Sequence, residues 1–184
     1  MDLKLSRINL ITGEKDIGKT QLCAKLVHEL KKKNFSVAGI ISPGKYANNK
    51  KVGIHAENIT NGEIVELACF SPGWDKDNQK RIWKINDAAI PWGNSVLKEI
   101  SFCDVLIIDE VGFLELEKKS GWSQVFKILE DEIAKFVFIV IRPGLIDIAI
   151  QYWKGAQVIE LKSKEHRDHI LSSIMSQLEI ICAR

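Results

Sequence analysis

At 184 residues, with 46% apolar and 27% charged side chains, the chain is the size of one domain and has apolar content enough for a full core. A net charge of +2 gives no footing for nucleic-acid binding, and the densest basic run, Lys31-Lys32-Lys33, falls where a helix C-terminus favours cations. No apolar run approaches the ~18 residues of a membrane span. Cys23, Cys69, Cys103 and Cys182 are scattered without C-x-x-C spacing, which predicts reduced, buried thiols. With a first strand that starts almost at the N-terminus, the chain is expected to be cytoplasmic.

The first predicted strand carries Ile8, Leu10 and Ile11 and ends at Thr12-Gly13. Gly13-Glu14-Lys15-Asp16-Ile17-Gly18-Lys19-Thr20 then satisfies the pattern G-x-x-x-x-G-K-[ST] at every required position. Leu22, Cys23, Leu26, Val27 and Leu30 follow at helical spacing, so the loop stands between a strand and a helix. In such a turn successive backbone N–H groups converge on an anion, and the helix adds its unpaired donors and positive end. Residues Gly13 through Thr20, with Gln21, are therefore expected to hold the phosphates of a nucleotide. Lys19 is expected to reach the β- and γ-phosphates, and the Thr20 hydroxyl to ligate Mg²⁺.

Val37 to Ile41 form a second strand closed by Ser42-Pro43-Gly44, which opens a right-handed parallel crossover. The texture then changes. Residues 45–50 read as a polar loop; Val52, Ile54 and Ala56 alternate; Thr60-Asn61-Gly62-Glu63 signals a hairpin; and Ile64, Val65, Leu67 and Cys69 return as its partner. An antiparallel β element over roughly residues 45–85 is thus expected inside an α/β frame, with Ile82 to Ile85 as its last strand and Ser71 to Gln79 as a mobile surface loop.

Asp87 to Ile100 reads as a helix with Pro91 near its first turn or kinking it. Val105-Leu106-Ile107-Ile108 has the continuous β-branched and apolar character of a strand buried on both faces. Trp122, Val125, Phe126, Leu129 and Ile133 mark a helix face. Phe136 to Ile141 is a further strand stopped by Arg142-Pro143-Gly144. A helix over about 144–152 leads to a strand at 158–161. The last helix has Ser163 as N-cap and is expected to bury Ile170, Leu171, Ile174, Leu178 and Ile181. Alternation of this kind implies a three-layer α/β sandwich, with a mostly parallel sheet of core strands starting near residues 8, 37, 105, 137 and 157. No repeat or linker divides residues 1–184, so one domain is expected.

The strand at 105–108 delivers Asp109 to its carboxyl edge, where ligands bind in open α/β sheets. An acid there suits Mg²⁺, commonly through a water, and Glu110 is placed to orient and deprotonate an attacking water. The P-loop, the hairpin insert after Val37 to Ile41, Leu106 to Gly112 with Leu114-Glu115-Leu116, and Gly121-Trp122 leading into a helix occur in this order. Over about residues 8–145 that set resembles the small P-loop nucleoside-triphosphatases sometimes called the cancer-related NTPase family. The resemblance implies a RecA-like core that slowly hydrolyses ATP, GTP and other nucleoside triphosphates with Mg²⁺. It implies phosphate and Mg²⁺ binding by Gly13, Gly18, Lys19 and Thr20, Mg²⁺ binding by Asp109 and water activation by Glu110. Two departures stand out: the charged loop residues Glu14, Lys15 and Asp16, the last bringing a negative charge toward the phosphates, and Arg142-Pro143-Gly144-Leu145 where the family varies its γ-phosphate sensor.

Arg142 ends a strand on the same edge as Asp109 and is a candidate for stabilising transition-state charge, or else it caps the sheet. Lys45 and Arg81 flank the insert within potential reach of the triphosphate, but read first as solvated. Trp122 reads as core, and Trp74 and Trp153 as minor candidates for a base contact; His166 and His169 read as solvated. Asn49-Lys50-Lys51-Val52 lacks the Asp of a guanine-reading motif, so the base is not specified. The leading function is Mg²⁺-dependent hydrolysis of ATP or other NTPs. Two alternatives share the loop: a nucleotide or small-molecule kinase, disfavoured by only five arginines, none clustered, and a nucleotide-dependent switch whose 45–85 hairpin meets a protein partner.

Overall fold

The computed structural model describes residues 3–75 and 80–182; the side chains of 71–75, 80–82 and 182 are not described. Nine strands and six helices run in the order β1 (Ile8–Gly13), α1 (Lys19–Lys32), β2 (Val37–Ile41), β3 (Gly44–Ala47), β4 (Lys50–Asn58), β5 (Ile64–Asp75), β6 (Lys80–Ile85), α2 (Ala89–Glu99), β7 (Cys103–Val111), α3 (Phe113–Leu116), α4 (Gln124–Glu130), β8 (Ala134–Ile141), α5 (Ile146–Tyr152), β9 (Gln157–Leu161) and α6 (Lys164–Cys182). All strands join one sheet in the order β6-β5-β4-β2-β7-β8-β1-β9, with β3 paired to β4. The pairs β2–β7, β7–β8, β8–β1 and β1–β9 are parallel. Those involving β3 to β6 are antiparallel.

The apolar runs explain this arrangement. In a parallel strand covered on both faces successive side chains enter opposite cores. Leu106 and Ile108 of β7 pack with Leu10, Val137 and Ile139 under α2, α4 and α5. Val105 and Ile107 pack with Ile11, Phe136, Phe138 and Val140 under α1 and α6. The result is the expected three-layer sandwich. The five parallel strands are those expected, although β7 and β8 begin a few residues earlier than their apolar runs suggest.

The inserted element is one continuous extension of the main sheet. Residues 45–47, expected as loop, instead belong to β3, which turns into β4 through Asn48 and Asn49 at φ 49° and 60°. Two successive left-handed residues make the turn that matches strand twist, and Asn tolerates that region better than most residues. Residues 71–75 also depart from the expected loop: they continue β5, with a register shift between Phe70 and Trp74 where Pro72-Gly73 falls. Residues 76–79, the rest of that expected loop, lie outside the described residues. Pro91 sits in the first turn of α2, where its missing N–H costs no intrahelical bond.

Ser163 caps α6 as expected, its Oγ accepting the His166 N–H at 3.1 Å. Ile170, Ile174 and Leu178 are buried as the periodicity requires, whereas Ile181 is exposed near the helix end. Trp122 is core, its Nε1 donating to the Ala89 carbonyl at 3.3 Å. Trp153, considered for a base contact, is also core: it is buried beside Phe126, with ring centroids 6.0 Å apart, and cannot reach a ligand. Trp74 lies on β5, with its side chain outside the described atoms. Among the described residues no helix is long and apolar enough to cross a membrane.

Candidate nucleotide site

The P-loop leaves β1 at Gly13, whose φ of 141° and position against Leu161 leave no space for a side chain: a Cβ there would lie 2.6 Å from the Leu161 carbonyl oxygen. Glu14, Lys15 and Asp16 are exposed, and Ile17 tucks against the core beneath α1. Asp16 adopts φ 62° at the solvent side of the loop. Gly18 at φ 103° is the N-cap of α1, and its carbonyl accepts the Leu22 N–H at 2.9 Å. Lys19 folds back over the loop, its Nζ donating to the carbonyls of Gly13 at 2.6 Å and Glu14 at 2.9 Å.

Because β7 and β8 are parallel neighbours, Asp109, Glu110 and Arg142 emerge on one edge. Asp109 is 2% exposed. Its Oδ1 accepts the Thr20 hydroxyl at 3.2 Å, and its Oδ2 accepts the Ser42 N–H at 3.0 Å. The Ser42 hydroxyl donates to the Asp109 carbonyl. The structure thus joins β1–α1, β2 and β7 at one carboxylate. Desolvation pushes the Asp109 pKa up to about 6, against the lowering by Ser42 and Thr20. Among the described residues no lysine or arginine makes an ion pair with it. A buried carboxylate beside a hydroxyl, both hard oxygen donors and short of positive charge, fits Mg²⁺.

Glu110 lies one residue further out and is ion-paired to Arg142 through Nε and Oε1. Lys45, by contrast, pairs with Glu66 at 2.9 Å on the antiparallel arm. Arg81 faces Trp74 in the β5–β6 register. The His166 Nδ1 accepts the Lys162 N–H at 3.3 Å, and the rings of His166 and His169 stack 6.5 Å apart.

Two neighbours of the site were not apparent from sequence. Ser42 reads in the sequence as a strand stop, although a Ser leaving a parallel strand on the ligand edge is a signal. Arg167 comes from α6, and its Nη1 donates to the Gln21 side-chain oxygen across 146 positions of chain. No local pattern marks it.

A phosphate cradle between β1 and α1, with an acid on a strand separated from β1 by β8, defines a P-loop nucleotide-binding protein. A family model described as NTPase matches residues 9–175, and the chain belongs to that family, a class of nucleoside-triphosphatases. Two similar proteins, both called nucleoside-triphosphatase THEP1, match along nearly their whole length. That of Pyrococcus abyssi is 23% identical over 180 residues, 95% of this chain and 93% of the relative. That of Caldivirga maquilingensis is 29% identical over 176 residues, 93% and 94% respectively. A third, from Saccharolobus solfataricus, is 33% identical over 108 residues, with 58% of this chain aligned to 61% of that protein. The crystal structure of THEP1 from Aquifex aeolicus superposes with a TM-score of 0.66 at 26% identity, covering 93% of this chain and 98% of that one. A human cancer-related nucleoside triphosphatase shares the fold, with a TM-score of 0.67 at 19% identity and coverage of 95% and 98%.

Proposed function

We propose that the chain is a Mg²⁺-dependent phosphohydrolase of ATP, GTP and other nucleoside triphosphates, acting as one P-loop domain over residues 1–184 in the cytoplasm, with no nucleic-acid or membrane partner. The observation that carries this reading is the 3.2 Å contact between Thr20 and Asp109, with Glu110 adjoining it at the same edge. Thr20 and Asp109 are the residues that would hold Mg²⁺. When bound, the ion neutralises phosphate charge and fixes the orientation of the β- and γ-groups.

The chain's own residues supply the remainder. Lys19 exchanges the carbonyls of Gly13 and Glu14 for phosphate oxygens. The N–H groups from Glu14 to Gln21 line the cradle, the exposed Asp16 carboxylate staying on the solvent side. Glu110 accepts the proton of a water aligned with the γ-phosphorus, and Arg142, turning from Glu110, meets charge that develops on the γ-oxygens. Nothing in the loop selects a base, which suits broad use of nucleotides.

Phosphate release from ATP, GTP, CTP and UTP with Mg²⁺, beside a Glu110→Ala control, tests this. Release from several triphosphates, lost in the control and on chelation of the metal, is expected. Tight binding without release sinks the hydrolase reading. A second reading, hydrolysis as a timer for a protein partner, is favoured by the exposed Tyr46, Ile64 and Ile85 on β3, β5 and edge strand β6. It predicts that a partner bound there raises a low basal rate.

A further inference from the structure

We propose that Arg167 is a nucleotide-binding residue that takes the α-phosphate at the end of the P-loop away from the bond being cleaved. The proposal rests on nucleotide occupying the P-loop as above.

Arg167 sits in the first turn of α6, its N–H bonded to the Ser163 carbonyl at 3.2 Å. Its side chain is only 11% exposed and lies across the start of α1. A Cβ placed on Gly18 would come 2.6 Å from Nη1 and 3.4 Å from Cδ, so the guanidinium rests on the loop at a position that glycine leaves open. Nη1 donates to the Gln21 amide oxygen. Nε is buried without a hydrogen-bond acceptor. The Asp168 carboxylate stands 3.5 Å from it but is itself held by Lys25 at 2.7 Å.

Asp168 is thus an ion-pair partner of Arg167, but an exposed one that is shared with Lys25. The N-terminus of α1 carries positive partial charge and Lys19 adds a full one, and the shared Asp168 offsets that local positive charge only in part. The guanidinium has five N–H donors, and the acceptor bonded to it from α1 is a neutral amide. An anion at the helix start takes up the unused donors and the remaining positive charge, and a phosphate matches the planar fork of Arg.

The sheet order assigns which phosphate. Asp109, Glu110 and Arg142 lie on β7 and β8, to one side of β1, whereas Arg167 arrives from β9–α6 on the other. The γ-phosphate belongs beside Glu110, so the opposite end of the chain of phosphates faces Arg167 and Gln21. A contact there is the same before and during cleavage. It therefore strengthens ground state and transition state alike, changing Kd and KM and leaving kcat.

The test is calorimetric titration of the full chain with Mg·ADP and Mg·ATP, for Arg167→Gln, Arg167→Lys and Lys19→Ala, with steady-state phosphate release alongside. Arg167→Gln removes the charge and shortens the side chain while keeping an N–H donor. It is expected to weaken ADP and ATP equally, by ~10- to 100-fold, the range of a charge-assisted hydrogen bond, with kcat within about threefold of the parent. Arg167→Lys should recover part of that affinity. An unchanged Kd with a lowered Tm would show a helix tie only and overturn the proposal. So would a fall in kcat with ADP affinity intact, which would move Arg167 to the γ side. If Lys19→Ala binds like the parent, the P-loop reading itself fails and the proposal with it. Loss in Lys19→Ala without loss in Arg167→Gln overturns the Arg167 assignment alone.

Discussion

Glu110 and Arg142 are joined directly: the Arg142 Nε donates to Glu110 Oε1 across the ends of β7 and β8. Arg142 is 70% exposed at its side chain and Glu110 35%, so the pair lies at the solvent edge where rearrangement costs little packing. In the proposed mechanism a γ-phosphate that draws Arg142 away leaves the Glu110 carboxylate free to hold a water.

Arg142→Ala is expected to lower kcat by roughly 10- to 10³-fold with KM nearly unchanged, and Glu110→Gln by roughly 10²- to 10⁴-fold. Because the two act as a unit, the double variant should be about as slow as Glu110→Gln alone. Steady-state phosphate release reads all three. Losses that add in full would mean that the two residues act separately.

A second carboxylate holds the loop behind Glu110. Glu115 is 7% exposed; its Oε2 accepts the Gly112 N–H and its Oε1 the Trp122 N–H, each at 2.9 Å. It thereby ties the turn after β7 to the entry of α4. Glu115→Ala strands the buried Trp122 N–H and the half-buried Gly112 N–H and is expected to cost about 2–4 kcal/mol, a fall of roughly 5–15 °C in Tm at this chain length. Glu115→Gln keeps the shape and one acceptor and should lose less. Thermal unfolding distinguishes them, and an unchanged Tm in Glu115→Ala would remove the loop-fastening role.

The legible parts of the structure are those written locally. Val105 to Ile108 and Phe136 to Ile141 announce buried strands because neither face meets water, and Gly13 to Thr20 announces the cradle because its geometry is set by eight consecutive residues. Strand β3 is not legible in the sequence because Gly44 to Ala47 carries no apolar alternation, although Asn48-Asn49 is a hairpin signal. Residues 71–75 were obscured by Pro72-Gly73, which a register shift in β5 absorbs. Trp153 illustrates the limit for aromatics: sequence shows that a ring is present, and only packing against Phe126 shows that it is core. Arg167 lies against the P-loop through tertiary structure, which no window of sequence contains, whereas the place of Ser42 at the end of β2 is a local signal.

The thiols offer a probe independent of nucleotide. Cys23 and Cys103 are free and buried, and burial raises both pKa values, that of Cys103 to about 11. A thiolate is the reacting species, so both are expected to resist alkylation at pH 8 in the folded chain and to react once it is unfolded. Cys69 is half-buried and should react faster than either. Mass mapping after timed labelling reads each site; rapid native modification of Cys23 would contradict its packing on the buried face of α1.

Asp104 makes a pH-dependent contribution to stability that can be isolated. Its Oδ1 accepts Lys135 Nζ at 2.7 Å, and its Oδ2 accepts the Ser36 N–H at 2.9 Å and hydroxyl at 2.7 Å, joining the starts of β2, β7 and β8. Lys135 foremost, and then Ser36, hold its pKa below the ordinary carboxylate value. A folded-state pKa below the unfolded one means stabilisation that is complete above the unfolded value near ~3.9 and lost as pH falls through the folded value. Asp104→Asn is therefore expected to cost about 1–3 kcal/mol at pH 7, and the gap from the parent should shrink below about pH 4. Urea unfolding of both chains at pH 7, 4 and 3 measures it. A gap that stays constant with pH would mean that the neutral amide's geometry, and not the carboxylate charge, sets the difference.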